Sequence, residues 1–355
     1  ILAGRALRDI GPWNARVAIA ERLNAKVITD MKIGASFPTD HPLHLGTPGM
    51  LLPDAEGLAA LAAADVIVAF DWVDLGGALK AAKADGFVIS ASLDHHIHNG
   101  WSMDHQAFAP VDMLISADPD AVAVALAKEL GPSAKAIALP ALPRAMTKPS
   151  GAELTVEHLA HAVREAVGTR DVSLTHLPLS WNGAWWPLRH PLDYLGSDGG
   201  GGIGGGPGIS VGAALALKGS GRLPVAICGG GDYLMGVTAL WTAAHYRIPL
   251  LMVVANNRSF FNDELHQERV ARMRNRPVEN RWIGQRISDP DIDLAAMARA
   301  QGAKGFGPVT SEKELAAALR SALAAVDGGD VAVVDVRVEP GYAPAMTAAL
   351  TRKAD

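Results

Sequence analysis

The chain has 355 residues, 49% of them apolar and 19% charged, which is enough for two domains with proper cores. Its net charge of −5 is spread along the sequence without a polybasic run, which argues against nucleic acid as a partner. The single cysteine, Cys228, excludes an intrachain disulfide or a cysteine zinc site; no apolar stretch spans a bilayer and no signal peptide is visible, so a soluble, cytoplasmic protein is expected.

Ile1-Leu2-Ala3-Gly4 reads as a first strand entered without an initiator Met, and the expectation is a fragment of a longer polypeptide or a processed piece. Apolar runs follow at Lys26 to Asp30, Asp65 to Phe70, Gly86 to Ser90 and Asp112 to Ser116. Helical patterns around Pro12 to Asn24, Asp54 to Ala64, Leu75 to Ala84 and Pro119 to Leu130 separate them. Strands that alternate with helices predict a parallel sheet covered on both faces. PALPRAMTKPSG, Pro140 to Gly151, has three prolines and reads as a linker. The alternation then resumes with a helix near Glu153 to Val167, a strand near Val172 to Leu179 and a helix near Gly208 to Leu217. Helices near Asp291 to Ala300 and Ser311 to Ala325 and a last strand at Val331 to Val338 complete it. The predicted fold class is α/β, with two doubly wound parallel-sheet domains, residues 1–140 and 152–355, joined by a Pro-rich linker, 141–151.

The most informative stretch is LPVAICGGGDYLMGVTALWTAAHYRIPLLMVVANN, from Leu223 to Asn257. Its strand-turn-helix-strand order brings Gly229-Gly230-Gly231-Asp232 and Asn256-Asn257 to the carboxyl edge of one sheet, where open α/β sheets bind ligands. Glycines there let backbone N–H groups approach phosphate oxygens, and a divalent metal would take hard oxygen ligands beside them. Asn256-Asn257 alone would read as a turn. A second glycine cluster, Ser197 to Leu217, holds formal Gly-x-Gly-x-x-Gly matches such as Gly199, Gly201 and Gly204, but no apolar strand immediately precedes them, so dinucleotide binding is weakly supported there. Cys228, at the end of an apolar strand, reads as a buried, inert thiol.

The Leu223 to Asn257 segment resembles the cofactor motif of thiamine-diphosphate enzymes, which starts Gly-Asp-Gly and ends Asn-Asn. Nearly the whole chain is similar to the middle and diphosphate-binding domains of the pyruvate-oxidase, acetohydroxyacid-synthase and benzoylformate-decarboxylase branch. ILAGR and SFPTDHPLHLGTPG are the suggestive stretches in the first domain. The resemblance implies thiamine diphosphate and Mg²⁺ as cofactors and a small 2-oxo acid or related carbonyl compound as substrate. It implies a lyase or transferase, either a decarboxylase or an acetolactate-synthase-like enzyme. Gly229, Gly231, Asp232 and Tyr233 would lie at the diphosphate, the carbonyl of Gly201 would hold the aminopyrimidine, and Ile203 would be the apolar wedge under the bent cofactor; core packing is the plainer alternative for Ile203. Asn257 and the backbone carbonyl of Ser259 would bind the metal. Gly230 falls where the family carries its metal-binding Asp, and Asp232 two positions later is an uncertain substitute.

In that family a pyrimidine-binding domain with the activating Glu comes first; it is expected to be missing here, so that a partner chain would have to bring it, and the resemblance implies a homodimer or homotetramer. The stretch Arg258 to Gly284 is either a solvated loop with a short helix or a mobile lid that presents Phe260, Phe261 and His266 to substrate. His95, His96, His98 and His105, with Asp94 and Asp104, superficially suggest a metal cluster but match no zinc spacing. Trp181, Trp185 and Trp186 read as packing or a pocket wall. Two rivals remain: a non-catalytic structural or regulatory homologue, for which Gly230 argues, and a dinucleotide- or flavin-binding oxidoreductase with FAD in the first domain.

Overall fold

The computed structural model describes residues 1–50, 52–94, 108–132, 137–141, 149–151, 153–197 and 202–341. The chain packs as two compact units, Ile1–Leu142 with Asn182–Gly199, and Pro143–Trp181 with Gly200–Asp355.

In the first unit β1 (Leu2–Ala3), α1 (Ile10–Leu23), α2 (Ala55–Ala62), β2 (Val66–Phe70), α3 (Leu75–Ala82), β3 (Phe87–Ala91), β4 (Met113–Ile115) and α4 (Pro119–Leu130) follow in order. The strands form one parallel sheet in the order β1-β2-β3-β4. Each helix begins at an aspartate whose carboxylate accepts a first-turn N–H: Asp9, Asp54, Asp74 and Asp118. That pattern fixes the helix starts locally. Leu2, Ile67, Val88, Leu75 and Leu79 form the core between sheet and helices.

The run Lys26 to Asp30, expected as a strand, makes only isolated parallel bridges, Leu2↔Ile28 and Val27↔His44. Its apolar part is two residues long. Beyond it the chain turns inward to bury the Asp30–Lys32 ion pair, 2.8 Å, with side chains 3% and 4% exposed. Residues 182–199, expected in the second domain, pack with the first unit. Tyr194, fully buried, donates its hydroxyl to the carbonyl of Met31 at 2.9 Å, and the Leu188 N–H reaches Thr39 Oγ1 at 2.9 Å. Most of the expected linker lies outside the described residues.

The second unit runs α5 (Val156–Val167), β5 (Val172–His176), α6 (Gly206–Ala216), β6 (Leu223–Gly229), α7 (Gly230–Gly236), α8 (Ala239–His245), β7 (Leu250–Asn256), α9 (Phe261–Met273), α10 (Leu294–Ala300), β8 (Lys304–Val309), α11 (Glu312–Asp327) and β9 (Val331–Arg337). Its sheet is parallel throughout, in the order β5-β6-β7-β9-β8. β7 is buried along its full length, as a central strand of a two-sided sheet must be. β8 is not predicted by the sequence pattern. Its KGFGPV carries two glycines and a proline, and it becomes a strand by pairing at the sheet edge with β9. The helix expected after the glycine turn is two, α7 and α8. Between them the backbone bonds tighten to three-residue spacing, Leu240 N to Val237 O at 3.1 Å and Trp241 N to Thr238 O at 3.2 Å.

Candidate functional site

β6 and β7 are neighbours, with Gly229 level with Ala255, so the glycine turn and the Asn pair leave the sheet side by side. Two of the three glycines face close neighbours. A Cβ on Gly231 would lie 2.2 Å from Cε1 of Phe260, and one on Gly230 would lie 3.3 Å from Asn256 Oδ1; around Gly229 the space is open. A side chain at Gly231 would therefore have to displace the Phe260 ring, whereas Gly230 is tight but not closed to one.

Asn256 is structural. Its Nδ2 donates to Asp335 Oδ1 at 2.8 Å and its Oδ1 accepts the N–H of Arg258 at 3.2 Å. Asn257, half-buried at the strand end, accepts the N–H of Ser259 on Oδ1 at 3.0 Å. Both amides make the short turns that Asn pairs favour, and the Asn257 oxygen retains a lone pair for another partner. Ser259 is buried, and its hydroxyl donates to Glu264, a buried carboxylate flanked by Arg281 and Arg286 at 3.8 and 4.0 Å.

Asp232 points the other way. Oδ1 accepts the N–H groups of Gly204 at 2.7 Å and Gly206 at 3.2 Å, and Oδ2 lies 3.1 Å from His176 Nε2 at the end of β5. Burial alone would push this carboxyl up, but the hydrogen bond and charge of His176 together with the two amides hold it below the usual carboxylate range. Cys228, fully buried, completes a compact His176, Cys228 and Asp232 group, and burial pushes its thiol well up, with Asp232 adding to the effect. The thiol is inert as a nucleophile. His176 and Gly206 are not picked out by the sequence reading; the four-residue step from Cys228 to Asp232 was the signal present, and the histidine joins only through the pairing of β5 with β6.

The remaining expected positions divide. Ile203 is 49% exposed, so it is not core packing. Tyr233 is fully buried with its hydroxyl on the carbonyl of Leu294 at 3.1 Å, and it belongs to the core beneath the turn. His266 is exposed on α9, while Phe260 and Phe261 are partly covered. Gly199, Gly201, Asp104 and all four histidines of the Ser92 to His105 stretch lie outside the described residues. Asp94, at its start, pairs with Arg5.

These residues do not fit a Mg²⁺ site of the family pattern. Mg²⁺ is held through one or two carboxylates besides phosphate and water. Here Asn257 and the Ser259 carbonyl offer neutral oxygens, Gly230 has no side chain, and the Asp232 carboxylate faces His176, Gly204 and Gly206 instead. The glycine turn itself fits a diphosphate, since Gly229 opens onto free space and α7 starts without a side-chain cap on its N–H groups.

Residues 179–336 match the thiamine pyrophosphate enzyme, C-terminal TPP binding domain. A benzoylformate decarboxylase of Pseudomonas aeruginosa is 29% identical over 235 residues, covering 62% of this chain and 39% of that protein. The fold is shared with a thiamine diphosphate-dependent 4-hydroxybenzoylformate decarboxylase of Rhodococcus jostii RHA1 (TM-score 0.72, 23% identity, 97% of this chain and 62% of that one). It is also shared with a benzoylformate decarboxylase from Polynucleobacter necessarius (TM-score 0.70, 20% identity, 94% and 60%). The chain thus spans 39% to 62% of the length of these relatives. Residues 179–336 are thus similar to the C-terminal, cofactor-binding domain of thiamine pyrophosphate enzymes, and the chain shares the fold of the decarboxylases named above.

Proposed function

We propose that this chain supplies the middle and diphosphate-anchoring domains of a thiamine-diphosphate-dependent enzyme that cleaves or forms the carbon-carbon bond next to the carbonyl of a 2-oxo acid. Decarboxylation of an aryl 2-oxo acid is the leading reaction, by the similarity to benzoylformate decarboxylases, and acetolactate-synthase-like ligation the alternative. The observation that carries it is the uncapped glycine turn at the end of β6 beside Asn257 at the end of β7. Thiamine diphosphate, when bound, supplies the nucleophilic carbon and the electron sink. The protein's part is positional. Backbone N–H groups of Gly229 to Gly231 would meet the diphosphate, the exposed branched side chain of Ile203 would support the bent cofactor, and the carbonyl of Gly201 would receive the aminopyrimidine. The activating Glu would come from a pyrimidine-binding domain, which residues 1–355 do not include.

The test is calorimetric titration of thiamine diphosphate into the full chain, with Mg²⁺ and with chelator, followed by carbon dioxide release from benzoylformate. Saturable binding supports the reading. No heat of binding at millimolar cofactor under either condition sinks it. Gly230 favours a second reading, a non-catalytic homologue that keeps the fold for assembly or regulation; cofactor binding without turnover, even beside a pyrimidine-binding partner, would favour that one.

A further inference from the structure

His176, Cys228 and Asp232 have no part in the proposed chemistry, yet they converge. One ligand-type atom from each lies within 4.8 Å of the others, and the residues are 8%, 0% and 8% exposed. They come from the ends of neighbouring strands β5 and β6 and the first turn of α7. His176 Nε2 and Asp232 Oδ2 are already 3.1 Å apart. Ligand atoms of a tetrahedral zinc ion, with bonds of about 2.0 to 2.3 Å, stand roughly 3.3 to 3.7 Å from one another. A small adjustment thus closes the three around an ion.

One further observation points to a ligand. Asp232 Oδ2 is buried, with the His176 ring at 3.1 Å and no other hydrogen-bond partner among the described residues. Natural interiors rarely leave such atoms unsatisfied. The absence of a side chain at Gly206 lets both groups come this close, since a Cβ there would lie 2.1 Å from Asp232 Oδ2 and 2.8 Å from His176 Nε2. Charge agrees as well. A neutral imidazole, a thiolate and a carboxylate sum to two negative charges, so a divalent ion makes the buried assembly neutral, with the thiol proton released to solvent. One cysteine rules out sites built from several thiolates, and that exclusion does not reach a mixed nitrogen, sulfur and oxygen set, which suits Zn²⁺ or Co²⁺.

We propose that His176, Cys228 and Asp232 bind one Zn²⁺-class ion beneath the glycine turn, with a fourth position left for a small ligand such as water. The ion cross-links β5, β6 and the start of α7, and so holds the Gly204 to Gly206 segment and the Gly229 to Asp232 turn together from below. It is separate from any metal at the diphosphate, because Asp232 faces away from Asn257 toward β5.

Cobalt tests it without thiamine diphosphate, so the outcome is independent of the proposed function. The full chain, freed of metal with chelator, is titrated anaerobically with Co²⁺. The expected result is one ion per chain, a near-ultraviolet thiolate-to-cobalt band with intense visible bands of tetrahedral geometry, and displacement of both by Zn²⁺. Cys228 is the only cysteine, so the thiolate band has a single source. Cys228→Ala, folded by circular dichroism, abolishes it. Should that variant not fold, His176→Gln keeps the thiol and is expected to weaken cobalt binding at least about tenfold. No thiolate band in folded wild type at saturating cobalt overturns the proposal, and so does affinity unchanged in His176→Gln.

Discussion

Asp232 Oδ1 accepts the N–H of Gly204 at 2.7 Å, so a carboxylate in the first turn of α7 fixes the glycine segment that leads into α6. The same oxygen takes the Gly206 N–H, and the second oxygen faces His176. One side chain thus organises both glycine clusters of the second unit.

Asp232→Asn keeps the shape and removes the charge. Its oxygen keeps the two backbone N–H groups only if its amide nitrogen faces His176, and the charge-assisted contact with the ring is then lost. In chelator-treated protein the expected cost is about 1 to 3 kcal/mol, read as a lower urea midpoint. An unchanged midpoint would show that the carboxylate does not hold the turn.

Gly206 and Gly212 make a paired test within α6. Both are helical, and alanine favours a helix over glycine by about 1 kcal/mol. At Gly212, which is exposed with nothing within 4 Å of its Cβ, Gly212→Ala should stabilise by up to that amount. Gly206→Ala must instead displace Asp232 and His176, and a net loss of about 1 to 3 kcal/mol is expected. Thermal melts of the two variants moving in the same direction would contradict the close approach.

Most of the architecture was legible because it rests on local pattern. Apolar runs such as VIVAF and LLMVVAN become β2 and β7, and aspartates at positions 9, 54, 74 and 118 cap the helices that follow them. β8 was not, since KGFGPV has no strand pattern and owes its conformation to β9. The site divides in the same way. The meeting of the glycine turn and Asn257 at one sheet edge follows from position along the chain. The inward turn of Asp232 does not, because its partner His176 is distant in sequence and arrives through the β5–β6 pairing.

Asp335 predicts a pH effect of definite sign. It is fully buried on β9, and burial raises its carboxyl, only partly offset by the bond from Asn256 and the charge of Arg337. An acid that holds its proton more tightly folded than unfolded stabilises fully below the unfolded value, and that contribution is lost as pH rises through the folded one. Asp335→Asn still accepts from Asn256 and carries no charge. It should equal or exceed wild-type stability at neutral pH, by roughly 1.4 kcal/mol for each unit the carboxyl is raised, and the gap should close in acid. Urea unfolding from about pH 4 to pH 8 decides it, and a gap that widens in acid would reverse the sign.

Gly230→Asp asks whether the diphosphate site has lost only its anion. A Cβ there meets Asn256 Oδ1 at 3.3 Å and its Cα at 3.6 Å, so the Asn256 side chain must give by a few tenths of an ångström. An aspartate at this position also sits in the first turn of α7, where negative charge is favoured. It would add the carboxylate that Asn257 and the Ser259 carbonyl lack. If those two are metal ligands, Gly230→Asp should tighten thiamine-diphosphate binding by more than about tenfold, equal to about 1.4 kcal/mol, in Mg²⁺ and not in chelator. Calorimetric titration reads both arms. A folded variant whose affinity stays the same with and without Mg²⁺ would mean that Asn257 does not face a metal, and the non-catalytic reading would then take the place of the enzyme.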